Sequence, residues 1–181
     1  ALALVNAYMA SGEAGKAAKF LEDWLKTRPN DFLARKALAE TQYRAGQLQA
    51  ARQSYATALA QVPDDAVMLN NYANLLQQLN DPIAQETAEK ALALDPENSS
   101  YADTLGWILV RKGQIEAGLR HLREARLRSP ENAEIRFHLA YALTKSGRSN
   151  EAREELLAAL PASSGLPESE LVRQLKTELG I

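Results

Sequence analysis

Prolines and turn-forming residues recur along this chain at a nearly constant interval. The prolines lie 34, 33 and 34 residues apart, at Pro29, Pro63, Pro96 and Pro130. The turn residues lie 34, 34, 33 and 34 residues apart, at Gly12, Gly46, Asn80, Gly113 and Gly147. A fixed period of this length is the signature of a repeat architecture, in which each copy is one supersecondary unit that stacks on its neighbours. The chain is therefore expected to be an array and not a globule with one central core.

Each copy reads as two helices joined by a turn. In the most regular copy, residues 99–130, apolar side chains recur at helical spacing on both sides of Gly113, and Pro130 ends the second helix because proline cannot continue one. The same pattern predicts helices over 1–11, 14–27, 32–44, 48–61, 66–79, 82–94, 132–146 and 149–160, with a helix pair inside 99–128. After the loop 161–165, an amphipathic segment predicts a last helix over 168–179.

Polar residues and one proline predict where several helices begin. Asp64 or Asp65 is expected to cap the helix at 66, and Ser99 or Ser100 the helix at 99, because a side-chain oxygen can accept from free first-turn amides. Pro82 is expected at the first position of its helix, where its missing N–H costs nothing.

The composition excludes several classes of function. With 46% hydrophobic residues, 24% charged residues and a net charge of −2, the chain lacks the basic surface that nucleic-acid binding requires. No apolar run is long enough to insert in a membrane, and there is no cysteine. The two histidines, His121 and His138, lie in different repeats without metal-ligand spacing, and no phosphate-binding loop is present. We therefore expect no catalysis, cofactor or metal.

The period and several residues resemble the tetratricopeptide repeat family. The residues that carry the resemblance are Leu105-Gly106, Leu38-Ala39, Tyr8, Tyr55, Ala58, Ala91, Ala125 and Ala159, whereas Trp24 and Gly118 depart from the pattern. The resemblance implies an all-α, right-handed α-solenoid (superhelix) of five repeats with a C-terminal capping helix. The expected boundaries are 1–30, 31–64, 65–97, 98–131 and 132–164 for the repeats and 165–181 for the cap.

The same resemblance implies a concave groove lined by the first helix of each repeat. The groove positions are Lys36, Arg44, Asn70, Asn74, Gln77, Trp107, Arg111, Phe137 and Tyr141. The amides can pair with a peptide backbone, the aromatic rings can anchor a protein partner, and the cations favour an acidic or C-terminal segment. The alternative is that Trp107 and Tyr141 only pack between adjacent helices.

Residues 66–181 also resemble the C-terminal repeats of tetratricopeptide lipoproteins from PEP-CTERM/exosortase systems, through the shortened turn NDP and the string DTLGWILV. That resemblance implies a periplasmic scaffold in exopolysaccharide production or protein sorting. Because the chain begins in mid-helix, we expect a fragment of a longer protein whose lipid anchor lies on the missing N-terminal part. The alternatives are a scaffold of a cellulose, alginate or Pel secretion machine, or a cytoplasmic adaptor.

Overall fold

The structure, a computed structural model, describes residues 2–160 and 170–181, and in these ranges it contains helices, turns and no strand. The helices are α1 (Leu2–Ala10), α2 (Ala14–Thr27), α3 (Phe32–Arg44), α4 (Leu48–Gln61), α5 (Ala66–Gln78), α6 (Ala84–Leu94), α7 (Ser99–Arg111), α8 (Ile115–Arg128), α9 (Ala133–Lys145), α10 (Ser149–Ala159) and α11 (Glu170–Leu179). The predicted all-α class and the succession of helix pairs are confirmed. The loop 161–165 and the first two residues of the predicted helix 168–179 lie outside the described residues.

The chain divides into two compact units. The N-terminal unit, Ala1–Leu94, contains the pairs α1–α2, α3–α4 and α5–α6. The C-terminal unit, Asp95–Ile181, contains the pairs α7–α8 and α9–α10, with α11 packed against α9 and α10. Within each unit a pair also packs on the next pair, through α2–α3, α4–α5 and α8–α9. The apolar side chains are buried between neighbouring helices, as expected for stacked repeats.

Small residues near the start of each second helix are buried throughout the array. These residues are Ala17, Ala51, Ala84, Gly118 and Ala152. A small side chain there lets the two helices of a pair approach closely. Between α7 and α8 the approach is so close that a Cβ atom added to Gly118 would lie 2.7 Å from the carbonyl oxygen of Gly106. The departure from alanine at position 118 is therefore a packing requirement of this pair.

The turn between α5 and α6 is the shortened one. Asn80 occupies its positive-φ position, with φ 54°, where the other repeats have glycine. Asp81 accepts a hydrogen bond from the backbone N of Ile83, 3.2 Å away. The prediction that Pro82 is the first helical residue is wrong: α6 begins at Ala84, because the Asp81–Ile83 bond holds Pro82 within the turn.

Two predicted helix starts are resolved by side-chain hydrogen bonds. Asp65, and not Asp64, caps α5 by accepting from the backbone N of Met68 at 2.9 Å. The cap of α7 is Asn98, which accepts from the backbone N of Ser100 at 3.1 Å, so the expectation of a serine cap is wrong. The extended backbone of Asn98 aims its side chain at the first-turn amides, a geometry that the serines lose once they are helical.

Asp65 also joins two repeats of the N-terminal unit, since its carboxylate pairs with Lys36 Nζ of α3 at 2.6 Å. Burial raises the pKa of the Asp65 carboxyl, but the hydrogen bonds from Lys36 and the Met68 amide outweigh it, so the net pKa is lowered.

We expect Asp65→Ala, which removes both cap and ion pair, to cost about 1–2 kcal/mol of unfolding free energy. Asp65→Asn should cost less, because asparagine also caps helices.

Urea unfolding of the two variants and the wild type measures this difference. Because the folded pKa is below the unfolded one, the wild-type advantage is present at neutral pH and is lost as pH falls through the folded pKa. Equal losses in the alanine and asparagine variants would contradict a capping role.

Candidate functional site

The predicted cations of the N-terminal unit, Lys36 and Arg44, lie on α3 and differ in availability. The Lys36 side chain is 25% exposed and its ammonium is held by Asp65. Arg44, at the last turn of α3, is exposed. Arg44 therefore presents its guanidinium to solvent, whereas the Lys36 charge is used within the unit.

The predicted amide residues lie on α5 at different depths. Asn70 is 8% exposed, and its Oδ1 atom has no hydrogen-bond partner among the described residues. Asn74 and Gln77 are half-buried. The accessible amides of this helix are therefore those of Asn74 and Gln77, whereas Asn70 belongs to the packed side.

Glu40 is a half-buried carboxylate on α3, one helical turn from Lys36 and one from Arg44. Burial raises the pKa of Glu40, and the attraction of the two cations only partly opposes the increase. The folded protein therefore holds this charge at an energetic disadvantage.

We expect Glu40→Gln to stabilise the protein slightly at pH 7, by less than about 1 kcal/mol because the side chain is partly solvated. The folded pKa is above the unfolded value of 4.5, so the ionised form is the disfavoured one. The gain should therefore be complete above the folded pKa and disappear below the unfolded pKa. Thermal unfolding of both proteins at pH 7 and pH 4 measures it. A lower melting temperature of the variant at pH 7 would contradict the prediction.

In the C-terminal unit, α7 and α9 bring the predicted aromatic residues together. The Trp107 ring lies 5.2 Å from that of Tyr141, edge to face, and 6.3 Å from that of Phe137. Phe137 is 6% exposed, whereas Trp107 and Tyr141 are half-buried. The rings therefore pack α7 against α9, and the outer parts of Trp107 and Tyr141 remain accessible. That these rings anchor a partner stays a prediction.

A buried histidine–aspartate pair supports this cluster. His138 Nδ1 lies 2.9 and 3.0 Å from the two carboxylate oxygens of Asp103, and the two side chains are 11% and 10% exposed. The His138 ring stacks on Trp107 at 4.2 Å and 16°. The sequence pattern alone did not predict a partner for His138. The pair could have been found from the separation of 35 residues between Asp103 and His138, which is one more than the repeat period. This separation places the two residues on the first helices of neighbouring repeats.

Two cations flank the aromatic rings. The Arg111 guanidinium carbon lies 5.6 Å from the centre of the Trp107 ring, and Lys145 Nζ lies 5.3 Å from that of Tyr141. Lys145 also makes a long 3.5 Å ion pair with Glu178 of α11. We call this surface the α7–α9 face; it consists of Trp107, Arg111, Phe137, Tyr141 and Lys145. Its aromatic rings form the central part of the surface, and Arg111 and Lys145 place positive charge at one end of it.

The described residues contain no group of three or more histidine, aspartate or glutamate side chains placed to hold a metal ion. Of the helices that the structure describes, none has the length and apolarity to cross a membrane.

Comparison with known proteins identifies the repeats. Two models described as "Tetratricopeptide repeat" match residues 1–41 and 104–167. A TPR repeat-containing protein of Pseudomonas aeruginosa is 31% identical over 129 residues, which are 68% of this chain and 21% of the relative. The chain thus spans about a fifth of the length of that curated relative.

Solved structures share the fold of this chain. The type IV pilus biogenesis factor PilW is similar with a TM-score of 0.82 and 25% identity, over 98% of this chain and 83% of that one. MamA of Desulfovibrio magneticus RS-1 is similar with a TM-score of 0.78 and 17% identity, over 92% of this chain and 94% of that one. These matches confirm the predicted solenoid class of fold.

Proposed function

Because this chain is built of tetratricopeptide repeats, we propose that it is a non-catalytic scaffold that binds an acidic protein segment on its α7–α9 face. Stacked helical repeats present extended surfaces that bind other proteins. The observation that carries the proposal is the placement of Arg111 and Lys145 over the rings of Trp107 and Tyr141.

The chemistry of the face favours a ligand with apolar and acidic side chains. Large aromatic residues supply much of the binding energy at protein interfaces, and the accessible parts of Trp107 and Tyr141 can contact an apolar side chain. Next to them, Arg111 and Lys145 offer charged donors to a carboxylate. Among the described residues, the ion pair that Lys145 would give up on binding is the long, exposed one with Glu178.

A double charge reversal, Arg111→Glu/Lys145→Glu, tests the proposal without disturbing the packed rings. We expect captured partners to bind this variant at least about tenfold more weakly than the wild type, since opposite charges become like charges. The matched control is Arg120→Glu/Lys90→Glu, which reverses two exposed charges on α8 and α6. The experiment is affinity capture with all three proteins, after circular dichroism confirms equal helicity. Equal capture by the wild type and the α7–α9 variant would contradict the proposal.

For the biological setting, we propose a periplasmic scaffold of an exopolysaccharide or exosortase protein-sorting system. The support is the resemblance of residues 66–181, including the shortened turn Asn80-Asp81-Pro82, to the lipoproteins of those systems. Protease treatment of spheroplasts of the encoding organism tests the location: a periplasmic protein is digested, and a cytoplasmic adaptor is protected. Mass spectrometry of the captured partners tests the system.

The similarity to PilW favours a second candidate, a scaffold in type IV pilus assembly. The same capture experiment separates the two, because pilus assembly proteins would be recovered in place of sorting or polysaccharide export proteins. Deletion of the encoding gene would then reduce twitching motility and leave exopolysaccharide unchanged.

A further inference from the structure

A cavity of about 340 Å³ lies between α8, α9 and α10 of the C-terminal unit, and we call it the α8–α10 cavity. Its apolar lining comes from the buried Leu139 and Leu143 of α9 and from Leu127 of α8, which is 80% exposed. A single exposed leucine is ordinary on a protein surface. This one, however, lies beside a hollow with an apolar lining, which is large enough to receive a side chain.

Most of the carboxylates that line the cavity are already bound within the unit. Glu151 accepts two hydrogen bonds from Arg148, each 2.7 Å long, and Glu155 accepts one from Arg126 at 3.0 Å. Glu154 of α10 is exposed and has no hydrogen bond or ion pair among the described residues. Glu154 is therefore the carboxylate of this cavity that is available to a cation from outside.

The cation Arg123, which lines the cavity from α8, is only loosely held. Its Nη2 atom lies 3.8 Å from the carboxylate of Glu151, beyond hydrogen-bond distance, and makes no hydrogen bond among the described residues. The side chain is 41% exposed, so its guanidinium can reach an acceptor outside the chain. Leu127 follows Arg123 by four residues and lies on the same side of the helix. Helix α8 thus presents a cation and a leucine one turn apart.

We propose that the α8–α10 cavity is the contact between two copies of this chain. In this contact α8 of each copy lies over the cavity of the other, with Leu127 against Leu139 and Leu143 and with Arg123 on Glu154. The cavity accepts an apolar side chain next to a cation, and α8 itself presents both, so the chain is complementary to itself. The contact is reciprocal, as in a twofold dimer, because each copy both gives and receives the same two side chains.

Each group in this contact gains a better environment than it has in the single chain. Leu127 is withdrawn from water, which favours association through the hydrophobic effect. Arg123 and Glu154 gain a charge-assisted hydrogen bond, for which the isolated chain offers one long contact to Arg123 and none to Glu154. The residues of the α7–α9 face do not line the cavity, so this proposal is independent of the binding proposed there.

Sedimentation equilibrium of the 181-residue chain over a range of concentrations tests the dimer. We expect the wild type to approach twice its mass of 19.9 kDa as the concentration rises. Leu127→Ser should associate at least about tenfold more weakly, whereas the matched control Leu33→Ser, at another exposed leucine, should associate like the wild type. Circular dichroism first confirms equal helicity. A wild type that stays monomeric at every concentration, or a dimer that Leu127→Ser leaves intact, would overturn the proposal.

A charge exchange tests the pairing of Arg123 with Glu154 separately from folding. Arg123→Glu and Glu154→Arg should each associate at least about tenfold more weakly than the wild type, since each places like charges across the contact. An equal mixture of the two variants should recover association, because each chain then meets the opposite charges of the other. A fluorescent label on one variant identifies the mixed dimer. A mixture that associates as weakly as the separate variants would overturn the proposed contact, as would separate variants that associate like the wild type.

Discussion

Gly118→Ala is expected to destabilise the C-terminal unit by about 2–3 kcal/mol, although alanine is the better helix former. The added Cβ would lie 2.5 Å from Val110 Cγ2 and 2.7 Å from the Gly106 carbonyl oxygen. The valine side chain can move, but the carbonyl belongs to the backbone of α7. The two helices must therefore separate, and the contacts of the buried Leu119 and Leu122 with their neighbours are weakened.

The same substitution at Gly15 is the matched control. Gly15 lies in the first turn of α2, where an added Cβ meets no atom within 4 Å. Gly15→Ala should therefore stabilise the protein, by about 0.4–1 kcal/mol, through helix propensity and a less flexible unfolded chain. Urea unfolding followed by circular dichroism measures both. Two changes of the same sign would show that propensity, and not the close approach of α7 and α8, determines the effect at position 118.

Asp103→Ala is also expected to be strongly destabilising, lowering the free energy of unfolding by about 3 kcal/mol. It leaves His138 Nδ1 buried without its carboxylate partner, and His138 is the ring that stacks on Trp107. Asp103→Asn should lose much less, because the carboxamide oxygen can still accept from Nδ1–H. Unfolding free energies of the two variants measure the difference.

A second readout separates the hydrogen bond from simple packing. With the bond intact, the ¹⁵N chemical shifts of the His138 ring should show a proton held on Nδ1, and Asp103→Ala should abolish this preference. Asp103→Ala should also disturb the edge-to-face contact between Trp107 and Tyr141, and thereby change their near-ultraviolet circular dichroism. Unaltered ring shifts in Asp103→Ala would contradict the role of this pair.

Local signals in the sequence predicted much of the fold. The helices α2, α3 and α4 begin and end at the predicted residues, because turn glycines and closing prolines mark their limits. Two predictions were wrong: α6 begins at Ala84 and not at Pro82, and Asn98, not a serine, caps α7. At the cap of α7, adjacent residues each carry a side-chain oxygen that could accept from the free amides. Sequence cannot rank such neighbours, since backbone direction decides which side chain reaches the free amides.

The candidate site was only partly accessible to sequence reasoning. The repeat period places Trp107, Phe137 and Tyr141 on first helices, and the structure brings these rings together. The period says nothing about depth, so it predicts the same role for Asn70 and Asn74, which are one turn apart, although only Asn74 is half-exposed. The Asp103–His138 pair was missed because each residue has an ordinary local context.

Spacing along the chain is enough to predict the length of the repeat, its helix–turn–helix content and the helix faces that pack. Which polar groups are paired, and which of the described ones have no partner, follows only from the packing of the helices in three dimensions. Asp65 pairs with Lys36 and Asp103 pairs with His138, whereas Glu40 has neither a hydrogen bond nor an ion pair among the described residues. The physical reason is that burial and hydrogen bonding depend on the distance between helices, to within a few tenths of an ångström, and a periodic pattern does not contain that distance.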